Sequence, residues 1–178
     1  IKINVVVQRG INDHTLVDLA SHFKGSGHIV RFIEFMDVGT LNGWTLDKVV
    51  TANEIFQLIN GEMPLEPIPP NYPGEVAERF RYIDGAGEVG IIGSVTRPFC
   101  GACARARIST DGRLYTCLFS DVGFDLSSPL RSGATDQELE HIVRRIWGQR
   151  VDRYSEIRAS LTEHDRKRNK IEMYAIGG

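Results

Sequence analysis

The alternation of apolar and polar residues at the start of the chain predicts a strand, a helix and a second strand. Residues 1–7 place isoleucines and valines on one face and polar residues on the other, as in a half-buried strand. Apolar side chains then recur at helical spacing over residues 16–23, and Gly25 and Gly27 favour the end of that helix. Residues 28–36 are a second run rich in β-branched and aromatic residues. This order predicts a βαβ unit with two parallel strands.

Two capping boxes predict further helices. Thr51 and Glu54 have the spacing at which a threonine and a glutamate bond each other's backbone N–H, and the helix that follows is expected to end at Gly61. Thr135 and Glu138 repeat this spacing ahead of an amphipathic segment. The apolar face predicted for the second helix consists of Leu139, Ile142, Val143 and Ile146.

A proline-rich segment divides the chain. Five of the seven prolines lie within residues 64–73, which is too many for a helix or a central strand. We therefore predict a domain boundary there, with one domain over residues 1–61 and a second over residues 62–178.

The second domain has the pattern of short strands connected by turns. Residues 77–83 and 88–95 are two candidate strands, and two more flank Asp111–Gly112. Residues 171–176 are a candidate last strand. The predicted fold class is therefore α/β in the first domain and small α+β in the second.

Composition favours a globular protein over membrane, nucleic-acid-binding and disulfide-rich classes. With 42% hydrophobic and 25% charged residues, the 178-residue chain has the balance of a soluble globular protein. No apolar run approaches the ~18 residues of a membrane helix, and the formal net charge of −2 does not favour nucleic-acid binding. Three cysteines are too few for a disulfide scaffold and favour a reducing compartment. The chain begins at Ile1 inside a strand pattern, so we interpret the chain as a fragment or a processed piece.

The three cysteines predict a metal centre. They have the spacing Cys100-x2-Cys103-x13-Cys117, and two thiolates two residues apart can bind one centre. An iron–sulfur cluster with three cysteine ligands keeps one iron open to another ligand, such as a substrate. A zinc site completed by His141 and a set of three buried thiols are the alternatives that the spacing leaves open.

The turn before Cys117 decides whether the cysteines share a face. Ser109 and Arg113 flank a three-residue loop closed by Gly112 in the left-handed region. If the hairpin continues in this register, Cys103 and Cys117 are diagonal neighbours about 7–8 Å apart. A two-residue turn would place Cys103 on the opposite face.

Arginines next to the cysteines predict a phosphate site. Cys103, Arg105 and Arg107 stand at i, i+2 and i+4, so on a strand all three would point the same way. Two guanidiniums beside an open metal position suit a ligand that carries phosphate, because arginine binds phosphate oxygens in bidentate fashion.

Two cations interrupt the apolar strands of the first domain. Lys2 and Arg31 each need an anionic partner if they are buried. One interpretation is an internal ion pair, for instance between Arg31 and Glu34. The other is that both line a cavity at the sheet and neutralise a polyanionic substrate.

Two further patterns carry little functional information. Gly85, Gly87 and Gly90 match G-x-G-x-x-G but lead into a strand, so they predict a hairpin turn rather than a nucleotide fingerprint. The basic residues over 144–170 lack interleaved aromatic residues suited to stacking and lie on predicted helices, so a solvated helix face is favoured over a nucleic-acid surface.

The motifs resemble those of the molybdenum cofactor biosynthesis protein A family, specifically its C-terminal half. The matching segments are residues 99–107, Thr110–Asp111–Gly112, residues 117–119, Lys2–Ile3–Asn4, residues 31–36, residues 90–94 and Gly177–Gly178. Members of this family are radical S-adenosylmethionine enzymes, GTP 3′,8-cyclases (lyases) of molybdopterin biosynthesis. They convert GTP to 3′,8-cyclo-7,8-dihydro-GTP, with a 5′-deoxyadenosyl radical that takes the ribose 3′ hydrogen.

The resemblance implies roles for individual residues. Cys100, Cys103 and Cys117 match the ligands of a second [4Fe-4S] cluster that holds the GTP base at its open iron. Residues matching GTP contacts are Lys2, Arg31, Arg105, Ala106 and Arg107. Met36 matches a contact of S-adenosylmethionine, and Gly177–Gly178 match a tail that reaches the active site.

The resemblance also implies what is missing from this sequence. The Cys-x3-Cys-x2-Cys motif of the first, radical-generating [4Fe-4S] cluster does not occur in it. Residues 1–61 then correspond to the last βα units of a partial (βα)6 barrel, and residues 62–178 to an iron–sulfur and GTP-binding domain. We expect a cytoplasmic protein with no membrane contact that has no cyclase activity without the N-terminal half. Exposed barrel edges would favour a homodimer. The alternative function is a non-enzymatic zinc module, with three cysteine ligands and one histidine ligand, that binds nucleic acid or protein.

Overall fold

The computed structural model of the chain describes residues 1–162, 165 and 170–176. The strands are β1 (Lys2–Val7), β2 (Ile29–Glu34), β3 (Leu65–Ile68), β4 (Glu78–Tyr82), β5 (Glu88–Ile92), β6 (Arg107–Ile108), β7 (Arg113–Tyr115) and β8 (Phe124–Asp125). The α-helices are α1 (Leu16–Phe23), α2 (Ala52–Glu62), α3 (Ser127–Arg131), α4 (Asp136–Gly148) and α5 (Tyr154–Ile157). Short 3-10 turns cover Asp13–Thr15, Leu46–Lys48, Cys100–Ala102, Arg158–Ser160 and Met173–Ile176.

A mixed five-stranded sheet has the strand order β1-β2-β5-β4-β3. Strands β1, β2 and β5 are parallel, whereas β4 and β3 are antiparallel to their neighbours. The predicted βαβ unit is confirmed as β1-α1-β2. Strand β2 lies between β1 and β5, so the edge of β2 that we expected to be exposed is covered by β5. The partial barrel stays a prediction.

One face of this sheet packs against α1 and α2. Its core includes Val7, Phe32, Ile55, Ile59 and Ile91, which are buried almost completely. Burial of each such side chain stabilises the fold by about 1.5–3 kcal/mol. Because strand side chains alternate, the other face carries the polar residues of the same strands.

The chain divides into two compact units. Unit 1 comprises residues 1–36 and 44–103, and unit 2 comprises residues 37–43 and 104–178. The boundary expected after residue 61 lies inside unit 1, because strands on both sides of the proline-rich segment join one sheet. Proline is tolerated there because β3, which contains Pro67, is an edge strand.

Unit 2 contains the antiparallel sheet β6-β7-β8 and the helices α3 to α5. The capping box predicted for α4 is present, with Thr135 Oγ1 accepting from the Glu138 N–H at 3.3 Å. On its predicted apolar face only Ile146 is buried, while Val143 is exposed. Asp125 accepts from the Ser127 and Ser128 N–H groups at the start of α3. The hydrogen bond from the Ser128 hydroxyl, together with those from the two N–H groups and the Ser127 hydroxyl, lowers the pKa of the Asp125 carboxyl.

Three local expectations are wrong. Helix α2 continues through Gly61 to Glu62 before the chain becomes extended. Residues 103–106 lie outside any strand, so β6 is only two residues long. The segment 171–176 ends in a 3-10 turn rather than a strand, with the Ala175 N–H bonded to the Glu172 carbonyl at 3.0 Å. Gly177–Gly178 lie outside the described residues.

In the part of the chain that the structure describes, every helix is too short or too polar to cross a bilayer.

Candidate functional site

Cys100 and Cys103 occupy one tight turn of unit 1. The Cys103 N–H bonds the Cys100 carbonyl at 3.2 Å, and the Ala102 N–H bonds the Phe99 carbonyl at 3.3 Å. Both thiols are half-buried. A Cβ at Gly74 would stand 2.9 Å from the Ala102 carbonyl oxygen, so the loop at Gly74 packs directly against this turn. Two thiols on one turn suit two ligands of a single centre.

Cys117 belongs to unit 2 and lies just after β7. Its carbonyl accepts from the Ser120 N–H at 3.3 Å, and its Sγ accepts from the Phe119 N–H at 3.5 Å. Within the described residues, neither unit brings together three or more His, Cys, Asp or Glu side chains that could hold a metal ion. His141, the residue of the zinc alternative, is exposed on α4. The ligand set of Cys100, Cys103 and Cys117 stays a prediction.

The predicted hairpin register is confirmed. Ser109 donates its N–H to the Arg113 carbonyl at 2.9 Å, and Gly112 has a φ of +80°, which excludes the two-residue turn. The ladder ends at the pair Arg107 and Tyr115, however. On one side the polypeptide leaves the ladder toward the turn at Cys100–Ala102, and on the other side toward the turn that follows Tyr115.

The prediction that Cys103, Arg105 and Arg107 share one strand face is therefore wrong. Only Arg107 lies in a strand, where it is half-buried. Arg105 and Ala106 are exposed in the irregular segment before it. Their assignment as GTP contacts rests on the family motif and stays a prediction.

Lys2 and Arg31 lie on the polar face of the five-stranded sheet. The register pairs Arg31 with Asn4, and Arg31 Nε donates to Asn4 Oδ1 at 2.9 Å. Glu34 points to the opposite, core face, so the ion pair considered between Arg31 and Glu34 is wrong. Lys2 Nζ lies 3.8 Å from the carboxylate of Glu75. The two cations therefore share a face, as the cavity interpretation requires.

Glu75 is a charged neighbour that the sequence did not indicate. Its side chain is only 3% exposed, and it accepts from the Asn71 N–H at 2.6 Å. Burial opposes its charged form, but the hydrogen bonds from Asn71 and the charges of Lys2 and Arg79 hold the pKa of Glu75 below its usual value. Glu75 lies in an irregular loop, where no periodicity signals which side chains are buried.

Gly90 makes room for Arg31. The two residues are paired across β2 and β5. A Cβ at Gly90 would stand 3.0 Å from Arg31 Cγ and 3.4 Å from Ala77 Cβ. The aliphatic part of the Arg31 side chain therefore lies directly over Gly90.

Met36 lies just beyond the end of β2 and is half-buried. The carbonyl of the preceding residue, Phe35, accepts from Trp44 Nε1 at 2.7 Å. This hydrogen bond fixes the backbone that carries Met36. The role of Met36 as an S-adenosylmethionine contact stays a prediction.

Unit 2 contains a buried ionic cluster around Asp37. Arg158 Nε donates to its Oδ1 at 2.7 Å, Lys170 Nζ donates to its Oδ2 at 2.8 Å, and the Tyr154 hydroxyl also donates to Oδ2. Phe119 stacks on Tyr154 with ring centroids 4.4 Å apart. Burial alone would raise the pKa of Asp37, but its three partners hold it below its usual value.

Comparisons with known proteins identify relatives along the whole chain. A family model described as Molybdenum Cofactor Synthesis C matches residues 28–156. The GTP 3′,8-cyclase of Xanthomonas axonopodis pv. citri is 51% identical over 178 residues, which cover 100% of this chain and 52% of the relative. The GTP 3′,8-cyclase of Staphylococcus haemolyticus is 48% identical over 179 residues, with 100% and 53% covered. That of Acidothermus cellulolyticus is 46% identical over 200 residues, with 100% and 55% covered. The chain thus spans about half the length of the curated relatives it matches.

Proposed function

Because this chain belongs to the Molybdenum Cofactor Synthesis C family, we propose that it is the substrate-binding part of a GTP 3′,8-cyclase of molybdenum cofactor synthesis. The family resemblance inferred from the motifs is confirmed. The observation that carries the substrate assignment is the placement of Lys2 and Arg31 on one polar face of the sheet, with Gly90 leaving space for the arginine. The proposed product is 3′,8-cyclo-7,8-dihydro-GTP.

The proposed phosphate contacts are four cationic side chains. Lys2 offers a point charge, whereas Arg31, Arg105 and Arg107 offer bidentate donors that match phosphate oxygens. Ala106 lies between the last two and would contribute its backbone. Such contacts orient GTP and lower the entropy lost when the ribose and the base react.

The proposed cofactors are a [4Fe-4S] cluster and S-adenosylmethionine. Cys100, Cys103 and Cys117 would hold the cluster, and the shared turn of Cys100 and Cys103 fits two of its ligands. The cluster would supply an iron position open to the guanine base. Met36 would contact S-adenosylmethionine, which with a first cluster outside this chain would provide the radical chemistry.

The proposed partners follow from the part of the relatives that this chain does not match. We expect the cyclase to require an N-terminal half, and the chain by itself to lack cyclase activity. Strand β1 ends the described five-stranded sheet, and such an edge can pair with a further strand, from that half or from a second copy in a homodimer. A cytoplasmic location agrees with the three reduced cysteines.

The proposed function is tested by replacing both Arg105 and Arg107 with alanine. Each charge-assisted hydrogen bond to phosphate contributes about 1.5–3 kcal/mol, so GTP affinity should fall by about tenfold or more. Guanosine affinity should stay within about twofold, because the base contacts remain. Isothermal titration with GTP, GDP and guanosine measures both effects.

The matched control replaces Arg131 and Arg144, two exposed arginines of the helices in unit 2, with alanine. This variant has the same change in net charge and should bind GTP as the wild type does. Equal losses of GTP and guanosine affinity in the Arg105 and Arg107 variant would contradict the assignment.

A further inference from the structure

Glu34 carries a carboxylate that is completely buried on the core face of the sheet. Its Oε2 accepts from the N–H groups of Val95 and Thr96 at 2.6 and 2.8 Å. Its Oε1 accepts from the Ala52 N–H at 2.6 Å and from the Thr96 hydroxyl. One side chain thus joins the end of β2, the start of α2 and the segment that follows β5.

Backbone hydrogen-bond donors surround the Glu34 side chain. Ala52 is the first residue of α2, where the helix dipole is positive. Val95 and Thr96 present two successive N–H groups, an arrangement that binds anions. A buried carboxylate without such donors would be costly, so the backbone around it must keep this geometry.

The turn that encloses Glu34 is tightly built. The Arg97 N–H bonds the Gly93 carbonyl at 3.0 Å. A Cβ at Gly93 would stand 2.9 Å from Arg97 Cβ and 3.4 Å from Ala52 Cβ, so a larger residue would push the turn away from α2. Residues 93–97 therefore form a compact turn next to the Glu34 carboxylate.

This turn leads directly into the cysteine turn. Thr96 precedes Cys100 by four residues, and Glu34 precedes Met36 by two. On the β2 side, Trp44 Nε1 bonds the Phe35 carbonyl and limits movement of the same backbone. All of these residues belong to unit 1.

We propose that Glu34 is a positioning residue that holds the Cys100–Cys103 turn in a fixed place relative to Met36. This inference rests on the proposed function. If that function is right, one carboxylate links two ligands of the cluster to a residue that contacts S-adenosylmethionine. Glu34 touches neither substrate nor cofactor in this role. It acts through the backbone of Val95 and Thr96.

Glu34→Gln tests the proposal with little change in size. An amide has one acceptor oxygen, so its NH2 group must face the N–H of Ala52, Val95 or Thr96. Loss of hydrogen bonding in the turn should raise the rate at which iodoacetamide alkylates Cys100 and Cys103 in the metal-free protein, by about fivefold or more. Mass spectrometry of each cysteine peptide measures the rates, and Cys117 in unit 2 should stay within about twofold of wild type.

Three variants separate local positioning from general destabilisation. Ile59→Val weakens the same core without touching the carboxylate and should leave the relative rates unchanged. Thr96→Val removes one donor and should accelerate Cys100 and Cys103 to a smaller extent. Thr96→Ser restores the hydroxyl and should return the rates to those of the wild type.

The proposal is overturned if Glu34→Gln accelerates alkylation of all three cysteines equally or of none of them. It is also overturned if Ile59→Val accelerates alkylation of Cys100 and Cys103 but not of Cys117. If Glu34→Gln does not fold, Thr96→Val and Thr96→Ser decide by the same criterion. The alkylation rates are measured on the metal-free protein, so the test does not depend on the cluster. Failure of the wild type to bind iron would count against the proposed function, whereas unchanged rates would count against Glu34.

Discussion

Arg31 has its guanidinium oriented by Asn4 and its aliphatic part lying over Gly90. Long side chains lose entropy when they are held in one geometry, so a hydrogen bond made before ligand arrives reduces the loss on binding. Arg31 is thus prepared for an anionic ligand, whereas the Lys2 ammonium lies 3.8 Å from the Glu75 carboxylate and is held less closely.

Gly90→Ala should weaken GTP binding more than it weakens the fold. The new Cβ would displace the Arg31 side chain, which is flexible, so we expect a loss of about 0.5–1.5 kcal/mol in GTP affinity from the altered rotamer. The change in the free energy of unfolding should be smaller than in a core substitution. Titration with GTP and guanosine, together with urea unfolding, measures the two effects.

Gly61→Ala is the control for this prediction. Gly61 lies inside α2, and a methyl group added there would have nothing within 4 Å. Alanine should therefore stabilise the helix by about 0.5–1 kcal/mol and leave GTP affinity unchanged. Unchanged GTP affinity in Gly90→Ala would contradict the role assigned to Arg31.

The sequence left open whether Lys2 and Arg31 line one cavity, and their common face follows from the register of β1 and β2. The carboxylates of Glu75 and Asp37 were not predicted. Asp37 binds Arg158 and Lys170, which are 121 and 133 residues away in sequence, and no local pattern encodes such pairs.

At the scale of elements, local chemistry predicted most of the secondary structure. Both capping boxes formed, and the hydrogen bonds from Thr51 and Arg9 lower the pKa of Glu54 to about 2. The register of the β6-β7 hairpin also followed from its turn. The length of β6 did not, because residues 103–106, which we expected to continue the strand, are irregular in the structure.

Asp37→Asn should destabilise the loop and the C-terminal elements that the carboxylate joins. Arg158 and Lys170 would remain buried without their anion, which costs about 3–5 kcal/mol. The pKa of Asp37 is lower in the folded chain than in the unfolded chain. Its stabilisation is therefore complete above about pH 4 and is lost as the pH falls through the folded-state value.

Chemical denaturation between pH 2 and pH 7 checks this prediction. The wild type should lose stability on acidification, and Asp37→Asn should lack that component while being weaker at pH 7. Asp121→Asn, at an exposed aspartate of the same unit, is the matched control and should behave as the wild type does. A variant at Asp37 with the acid dependence of the wild type would refute the ionic role of the cluster.

At the scale of the whole molecule, the two compact units do not follow the order of the chain. The proline-rich segment suggested a boundary because its composition resembles a linker, but it forms an edge strand of the same sheet. Hydrogen bonding to β4 outweighs the local preference of the prolines, and only the tertiary pairing reveals it.

The proposed cluster has three cysteine ligands that lie far apart in the sequence. Cys117→Ser should therefore lower the iron content after anaerobic reconstitution, although Cys100 and Cys103 in unit 1 are untouched. Three to four iron atoms and sulfides per wild-type chain, about the content of a [4Fe-4S] cluster, with broad absorbance near 400 nm are expected. Stoichiometric zinc instead would favour the zinc module, and unchanged iron in Cys117→Ser would remove Cys117 from the ligand set.

Residues 37–43 group with unit 2, although the polypeptide on both sides of them belongs to unit 1. The backbone thus passes from one unit to the other after residues 36, 43 and 103. A gene truncated to begin at codon 104 would encode Arg158 and Lys170 without the carboxylate they share. Dissection of this protein into separately expressed pieces will require that the heptapeptide 37–43 be grafted onto the later piece or supplied to it in trans.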